Sequence, residues 1–306
     1  MTGGDIKNRI LIGDCRLILP TLEQESVHTV VTSPPYYAKR DYGHPNQIGL
    51  EPTPELYIET LVGVFREVRR VLRKDGTLWI NIADSYAGNG SAYSDTKSTL
   101  MGAKESTRMG AARMAKKGAK PKDLLGIPWL LALALRADGW YLRQDIIWSK
   151  TTCKPESVTD RCTNSHEYIF LLSKSPRYYF NADAIAEPIA ESTLRDKRLF
   201  NPEYQAPRRN RNYPGMPDQG SGLLKPKNGM RNKRSVWSVA TKPYHGAHTA
   251  VFPPELIEPC ILAGCPEGGD RPRPVRGNRH HGEGGQPTPA QRHPDRDKPG
   301  QPKTAT

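Results

Sequence analysis

The run Val27-His28-Thr29-Val30-Val31-Thr32 and its continuation, Ser33-Pro34-Pro35-Tyr36-Tyr37, constrain this fold more than any other stretch. The first half is short and rich in β-branched residues, which predicts a strand buried on both faces, as in a parallel sheet. The two prolines cannot donate to a ladder and stop it. A residue before proline is driven to extended backbone, so Ser33 and Pro34 are stiff. Open α/β sheets hold their chemistry at the carboxyl ends of strands. Ser33 therefore stands where a reacting group can be held. The backbone around it offers carbonyl acceptors and few donors. Tyr36 and Tyr37 add flat faces able to stack on a ring. Such a site accepts hydrogen bonds from an amino group and clamps the ring that carries it.

The chain has 306 residues, room for one large catalytic domain with insertions. Only 36% are hydrophobic, so part of it is expected to be loop or tail. A net charge of +13 makes nucleic acid the first partner to suspect. No apolar run reaches membrane-spanning length, and the first residues lack a basic-then-apolar signal. The five cysteines are scattered without a C-x-x-C. That pattern argues for reduced thiols in a cytoplasm and against a zinc site.

Taken in order, Arg9 to Ile12 reads as a strand ended by Gly13-Asp14, with a short helix to about Glu25. Asp14 suits a turn or helix cap, or a functional role at a strand end. Ala38 to His44 interleaves basic and aromatic residues, including Lys39 and Arg40, as contact with phosphates and unstacked bases requires. Thr53-Pro54 opens a helix with Leu61, Phe65, Val68 and Leu72 on one face. Arg69, Arg70, Arg73 and Lys74 are read as support for its C-terminal end. Asp75-Gly76 then turns into a strand from Thr77 to Ile82. Residues 84–122 form a basic loop. A helix through Leu135, a strand Tyr141 to Trp148 and a strand from His166 follow, with Arg177 to Phe180 as a hairpin partner. Glu187 to Arg234 is polar and basic, with Arg208, Arg209 and Arg211 at its centre. A strand Ser235 to Val239 and a helix begun by Pro253 or Pro254 complete the ordered chain.

Ser33-Pro34-Pro35-Tyr36 resembles the catalytic motif of the DNA amino-methyltransferases. "RVLRKDGTLWINI", "GWYLRQDIIWSK" and "HEYIFLLSKSPRYYF" look like other parts of that family's core. His248-Thr249-Ala250-Val251-Phe252-Pro253 resembles its cofactor-side motif. The resemblance implies a Rossmann-like α/β fold, a site-specific DNA methyltransferase, and S-adenosylmethionine as cofactor. The acceptor is the exocyclic amine of cytosine or adenine in double-stranded DNA. It implies catalytic roles for Ser33, Pro34, Pro35 and Tyr36, and cofactor contacts from Asp14, Ser33, His248, Ala250 and Phe252. DNA contacts are expected from Tyr37, Lys39, Arg40, Arg208, Arg209 and Arg211. The implied division is a catalytic half over 1–186, a target-recognition region over 187–234, and the start of a cofactor half over 235–269. Methyltransferases of RNA or of protein glutamine share the short motif and remain alternatives, as does a cofactor-free nucleic-acid-binding protein.

The resemblance stops after Gly269. The family continues with a strand ending Asp-Pro-Phe and a glycine turn G-x-G-T-T; this chain runs on, arginine- and proline-rich, to Thr306. Such a composition predicts disorder. Back-translated and read one nucleotide later, residues 271–285 permit Val-Leu-Asp-Pro-Phe-Gly-Ala-Thr-Gly-Thr-Thr-Gly-Lys-Val-Ala. The expectation is a frameshifted form with an incomplete cofactor half and weak S-adenosylmethionine binding. A catalytically inactive DNA-binding remnant is the corresponding alternative.

Overall fold

The computed structural model describes residues 10–87, 119–153, 155–195, 229–242 and 251–268. Its centre is a five-stranded sheet. The strands are β1 (Val27–Thr32), β2 (Leu72–Ile82), β3 (Tyr141–Lys150), β4 (His166–Ser173) and β5 (Val236–Val239). Their spatial order is β1-β2-β4-β3-β5. β1 runs parallel to β2, and β5 parallel to β3, while β4 is antiparallel to both its neighbours. The N-terminal end of β4 therefore lies at the carboxyl ends of β1, β2 and β3.

Four helices flank the sheet: α1 (Cys15–Ile18), α2 (Pro54–Val71), α3 (Ile127–Ala137) and α4 (Pro254–Gly264). Strand side chains alternate between two cores, as a pleat demands. Val30, Leu78, Ile80, Ile82, Phe170 and Leu172 pack with α2 and α3. Val31, Trp79, Ile169 and Leu171 pack with α4, through Leu256, Ile257, Cys260 and Ala263. Helices on both faces explain the continuous apolar runs of β2 and β4. The architecture is the expected Rossmann-like α/β layout.

α2 begins as its sequence predicts. Thr53 has extended backbone and its hydroxyl accepts from the Leu56 N–H, with Pro54 at the first position. Its apolar face, Leu61, Phe65 and Val68, is buried. Arg70 reaches beyond the helix to the carbonyls of Leu19 and Leu22, at 2.8 and 3.0 Å, and so ties α1 and its following turn to α2.

Four expectations are corrected. Ile10, Leu11 and Ile12 form no strand and are 88%, 52% and 84% exposed. β2 starts at Leu72, so Arg73 and Lys74 belong to it and not to α2. Asp75-Gly76 is a bulge and not a turn, because the register with β1 jumps between Val27↔Leu72 and Thr29↔Thr77. Glycine is required there: a Cβ on Gly76 would sit 2.9 Å from the His28 carbonyl. Arg177 to Phe180 is a loop, because both edges of β4 are already paired. Its backbone bonds elsewhere, from the Tyr179 N–H to the Asp75 carbonyl at 2.8 Å.

Among the described residues, β1 has β2 as its one strand neighbour. The strand expected after Gly269, most of the loop over 84–122 and most of the basic stretch over 187–234 lie outside the described residues. No described helix is long and apolar enough to cross a membrane.

Candidate active site

Ser33 follows the last residue of β1, and the next four residues are fixed from two sides. Tyr57, on the first turn of α2, donates from its hydroxyl to the Pro35 carbonyl at 2.8 Å. The loop that follows folds back, so that the Ala38 N–H bonds the Gly49 carbonyl at 2.7 Å. Gly49 has φ +105°, and a Cβ there would approach the Tyr36 carbonyl to 3.2 Å. Only glycine combines that backbone with that approach. Pro34 is buried, while Ser33 and Tyr36 are half-buried.

The hydroxyl of Tyr36 is the centre of a polar cluster. It donates to Glu167 Oε2 at 2.5 Å and lies 3.1 Å from Asn81 Oδ1. It accepts from Ser33 Oγ at 3.3 Å. Asn81 Nδ2 donates to Glu167 Oε2 at 3.1 Å and to the Tyr168 carbonyl at 3.2 Å. Lys150 Nζ donates to Glu167 Oε1 at 2.5 Å and stands 5.0 Å from the centre of the Trp148 ring. Burial of the hydroxyl end, and then the Glu167 charge, push Tyr36 well above the ordinary phenol range. Asp84, just beyond β2, is raised by burial, although the N–H groups of Ser85 and Ile127 hold its carboxylate at 2.8 and 3.0 Å.

The topology makes this cluster. Asn81 lies near the carboxyl end of β2 and Lys150 ends β3. Glu167 is second in β4 and opposite Trp148, which brings it to the same end of the sheet. Asn81, Lys150, Glu167, Asp84 and Tyr57 were not singled out from sequence. A signal existed for two of them: an asparagine and a glutamate inside apolar strands are seldom buried without partners.

The predicted residues fare differently. Ser33, Pro34, Pro35 and Tyr36 lie directly beyond the carboxyl end of β1. Tyr37, expected at the DNA, is instead 2% exposed and packs on Tyr57, with ring centres 5.3 Å apart. Alternation along the chain sends it into the α2 core while Tyr36 faces the cluster. Lys39 and Arg40 are exposed. Asp14 is the N-cap of α1: its carboxylate accepts from the Arg16 N–H at 2.9 Å and from the Arg16 guanidinium at 2.5 Å. The Arg16 side chain holds the Asp14 carboxyl below the ordinary range. Phe252 is half-buried against the core that contains Val31 and Trp79. His248, Ala250, Arg208, Arg209 and Arg211 lie outside the described residues.

Known proteins resemble this chain in sequence over most of its length. The DNA methylase family of the N6/N4 class matches residues 27–270. The type II methyltransferase M.SmaI of Serratia marcescens is 44% identical over 261 residues, 85% of this chain and 76% of that protein. M.Cfr9I of Citrobacter freundii is 43% identical over 257 residues, 84% of this chain and 72% of that protein. Among solved structures, the cytosine-N4-specific PvuII DNA methyltransferase aligns with a TM-score of 0.49 at 14% identity, over 83% of this chain and 69% of that one. A family match over most of the chain, and relatives sharing more than two residues in five, place it: the chain belongs to the N6/N4 DNA methylase family.

Proposed function

We propose that this chain methylates the exocyclic amine of cytosine or adenine at specific sites in double-stranded DNA. The observation that carries the reading is the Ser33-Pro34-Pro35-Tyr36 segment, pinned by Tyr57 at the carboxyl end of β1 and joined to a buried carboxylate. The relatives' type II designation supports a place in restriction–modification. The amine's lone pair is delocalised into the ring, which makes it a poor nucleophile. Hydrogen bonds from the amine to the Ser33 side chain and the Pro34 carbonyl favour a tetrahedral nitrogen with its lone pair free. Polar groups fixed where charge develops form a large catalytic contribution. The base must first leave the duplex, at a cost of a few kcal/mol. Stacking on Tyr36 offsets part of this, on the order of 1–3 kcal/mol.

S-adenosylmethionine supplies a methyl group on a positively charged sulfur. Two described residues suit it. Phe252 keeps part of its ring exposed beside the core that includes Val31, and Ser33 is half-buried just beyond β1. Asp14 suits it less, because Arg16 already engages both carboxylate oxygens. In this reading residues 1–186 hold the reacting amine, the basic stretch over 187–234 chooses the target, and 235–269 begin the cofactor half. The scattered spacing of the cysteines, with no C-x-x-C, supports a cytoplasmic setting.

A second reading, an inactive DNA-binding remnant, is favoured by the departure from the family pattern after Gly269. Methylated-base analysis of DNA from cells expressing this chain, and the same chain with its frame restored, decides. Methylcytosine or methyladenine at one recurring site in the restored strain is expected. Unmodified DNA in both strains overturns the methyltransferase reading.

A further inference from the structure

Glu167 has more hydrogen-bond donors around it than its place in a strand requires. It is 7% exposed, and its carboxylate takes bonds from Lys150, Tyr36 and Asn81. The Asn81 amide is oriented by its second bond, to the Tyr168 carbonyl, which leaves Oδ1 facing the Tyr36 hydroxyl. That hydroxyl has one proton to give. The bond to the charged oxygen at 2.5 Å takes it in preference to the neutral one at 3.1 Å. The Tyr36 oxygen is then free to accept from Ser33 Oγ at 3.3 Å. That contact is long for two hydroxyls, and such contacts tighten when substrate is seated. An unbroken line therefore runs from Ser33, through one hydroxyl, to a carboxylate.

Resting on the proposed function, this line meets a chemical need. A nitrogen that has gained a methyl group carries one proton too many, and a serine hydroxyl alone cannot keep it. We propose that Glu167 receives this proton through Ser33 and Tyr36. The transfers balance. An N–H bond breaks as its proton passes to Ser33 Oγ. The proton of Ser33 passes to the Tyr36 oxygen, and that of Tyr36 passes to Glu167 Oε2. Ser33 and Tyr36 end as they began, the nitrogen is neutral, and no electron changes hands. Lys150, with 23% of its side chain exposed, stabilises the carboxylate beforehand and stands at the route to solvent afterwards. Asp84 is another carboxylate at this end, but backbone N–H groups of Ser85 and Ile127 hold it. The depressed acidity of Tyr36 fits a group that hands a proton on without holding a negative charge.

Tyr36→Phe keeps the ring and removes the relay. Glu167→Gln keeps the shape and an acceptor for Tyr36 but removes the base. In single-turnover transfer of a tritiated methyl group to duplex DNA by the full chain with its frame restored, each is expected to slow the reaction roughly 10²–10⁴-fold. DNA affinity stays unchanged, and the double variant falls no further than the slower single one. An unaltered rate in Glu167→Gln makes Glu167 a scaffold and overturns the proposal. Infrared difference spectra of the full chain against Glu167→Gln need no turnover, and so separate failure of the relay from failure of the methyltransferase reading. An ionised carboxylate band at neutral pH is expected. A protonated carboxyl band at neutral pH leaves no room for the proton, and overturns the relay whether or not DNA is methylated.

Discussion

The Tyr57 hydroxyl donates to the Pro35 carbonyl across 2.8 Å, and this bond fixes α2 to the segment that carries the chemistry. Tyr57 is fully buried, and its ring also receives Tyr37. Tyr57→Phe would leave the part-buried Pro35 carbonyl without this partner. The expected loss is about 1–3 kcal/mol, seen as a lower urea midpoint with unchanged slope. A midpoint equal to that of the unaltered chain would mean that water replaces the hydroxyl and that the bond positions nothing.

Stability should fall at high pH. Burial, and then the charges of Glu55 and Glu51, push the Tyr37 phenol up to about 12. An unfolded tyrosine titrates near 10. Between those values the folded state holds the proton that the unfolded state has lost, so stability is complete below pH 10 and declines toward pH 12. The loss is about 2–3 kcal/mol for Tyr37, and Tyr57, raised further by burial, acts in the same direction. Denaturation between pH 8 and 11.5 should show this decline, less steep in Tyr37→Phe. A flat profile in the unaltered chain would contradict the burial of these rings.

Gly264 closes α4 against the sheet. A Cβ there would lie 2.7 Å from Trp79 Nε1 and 2.8 Å from Thr29 Oγ1. These atoms are already bonded: Trp79 Nε1 donates to Thr77 Oγ1 at 3.1 Å, and the Thr29 and Thr77 hydroxyls meet at 2.9 Å. Gly264→Ala should therefore force helix and sheet apart, at a cost of about 1–3 kcal/mol. A melting temperature unchanged within 1–2 °C, on the order of the resolution of such a measurement, would refute the tight contact.

Salt dependence tests the basic stretches. If Arg208, Arg209 and Arg211 meet phosphates, log K should fall with log salt by roughly 0.9 per phosphate contacted. Neutralising all three should flatten the slope, and adding Lys39→Ala should flatten it further. Identical slopes in the variants would assign these charges to solvent.

The sequence beyond Gly269 makes a separate prediction. Nucleotides spanning codons 265–285 should encode the glycine turn in the shifted frame. Calorimetry should then find weaker S-adenosylmethionine binding by the chain as written than by the frame-restored chain. A shifted frame without that loop, or equal affinities, would end the frameshift reading.

Much of this was legible in the sequence because it is local. β-branched residues make the strand Val27 to Thr32, two prolines end it, and Thr53-Pro54 starts the next helix; each effect acts over a few bonds. The family, its cofactor and its substrate class were implied by the resemblance of the Ser33-Pro34-Pro35-Tyr36 segment together with the runs around Trp79, Trp148, Tyr168 and His248. The partners of that segment were not legible. Asn81, Lys150 and Glu167 lie 45, 114 and 131 residues beyond Tyr36 in the chain, and each alone reads as one polar residue in an apolar strand. The antiparallel insertion of β4 between β2 and β3 brings them to one end of the sheet. The same long-range packing decided that Tyr36 faces the cluster while Tyr37 is buried on Tyr57. Adjacent tyrosines are chemically alike, and the side of the chain that meets α2 exists only once the helix has docked.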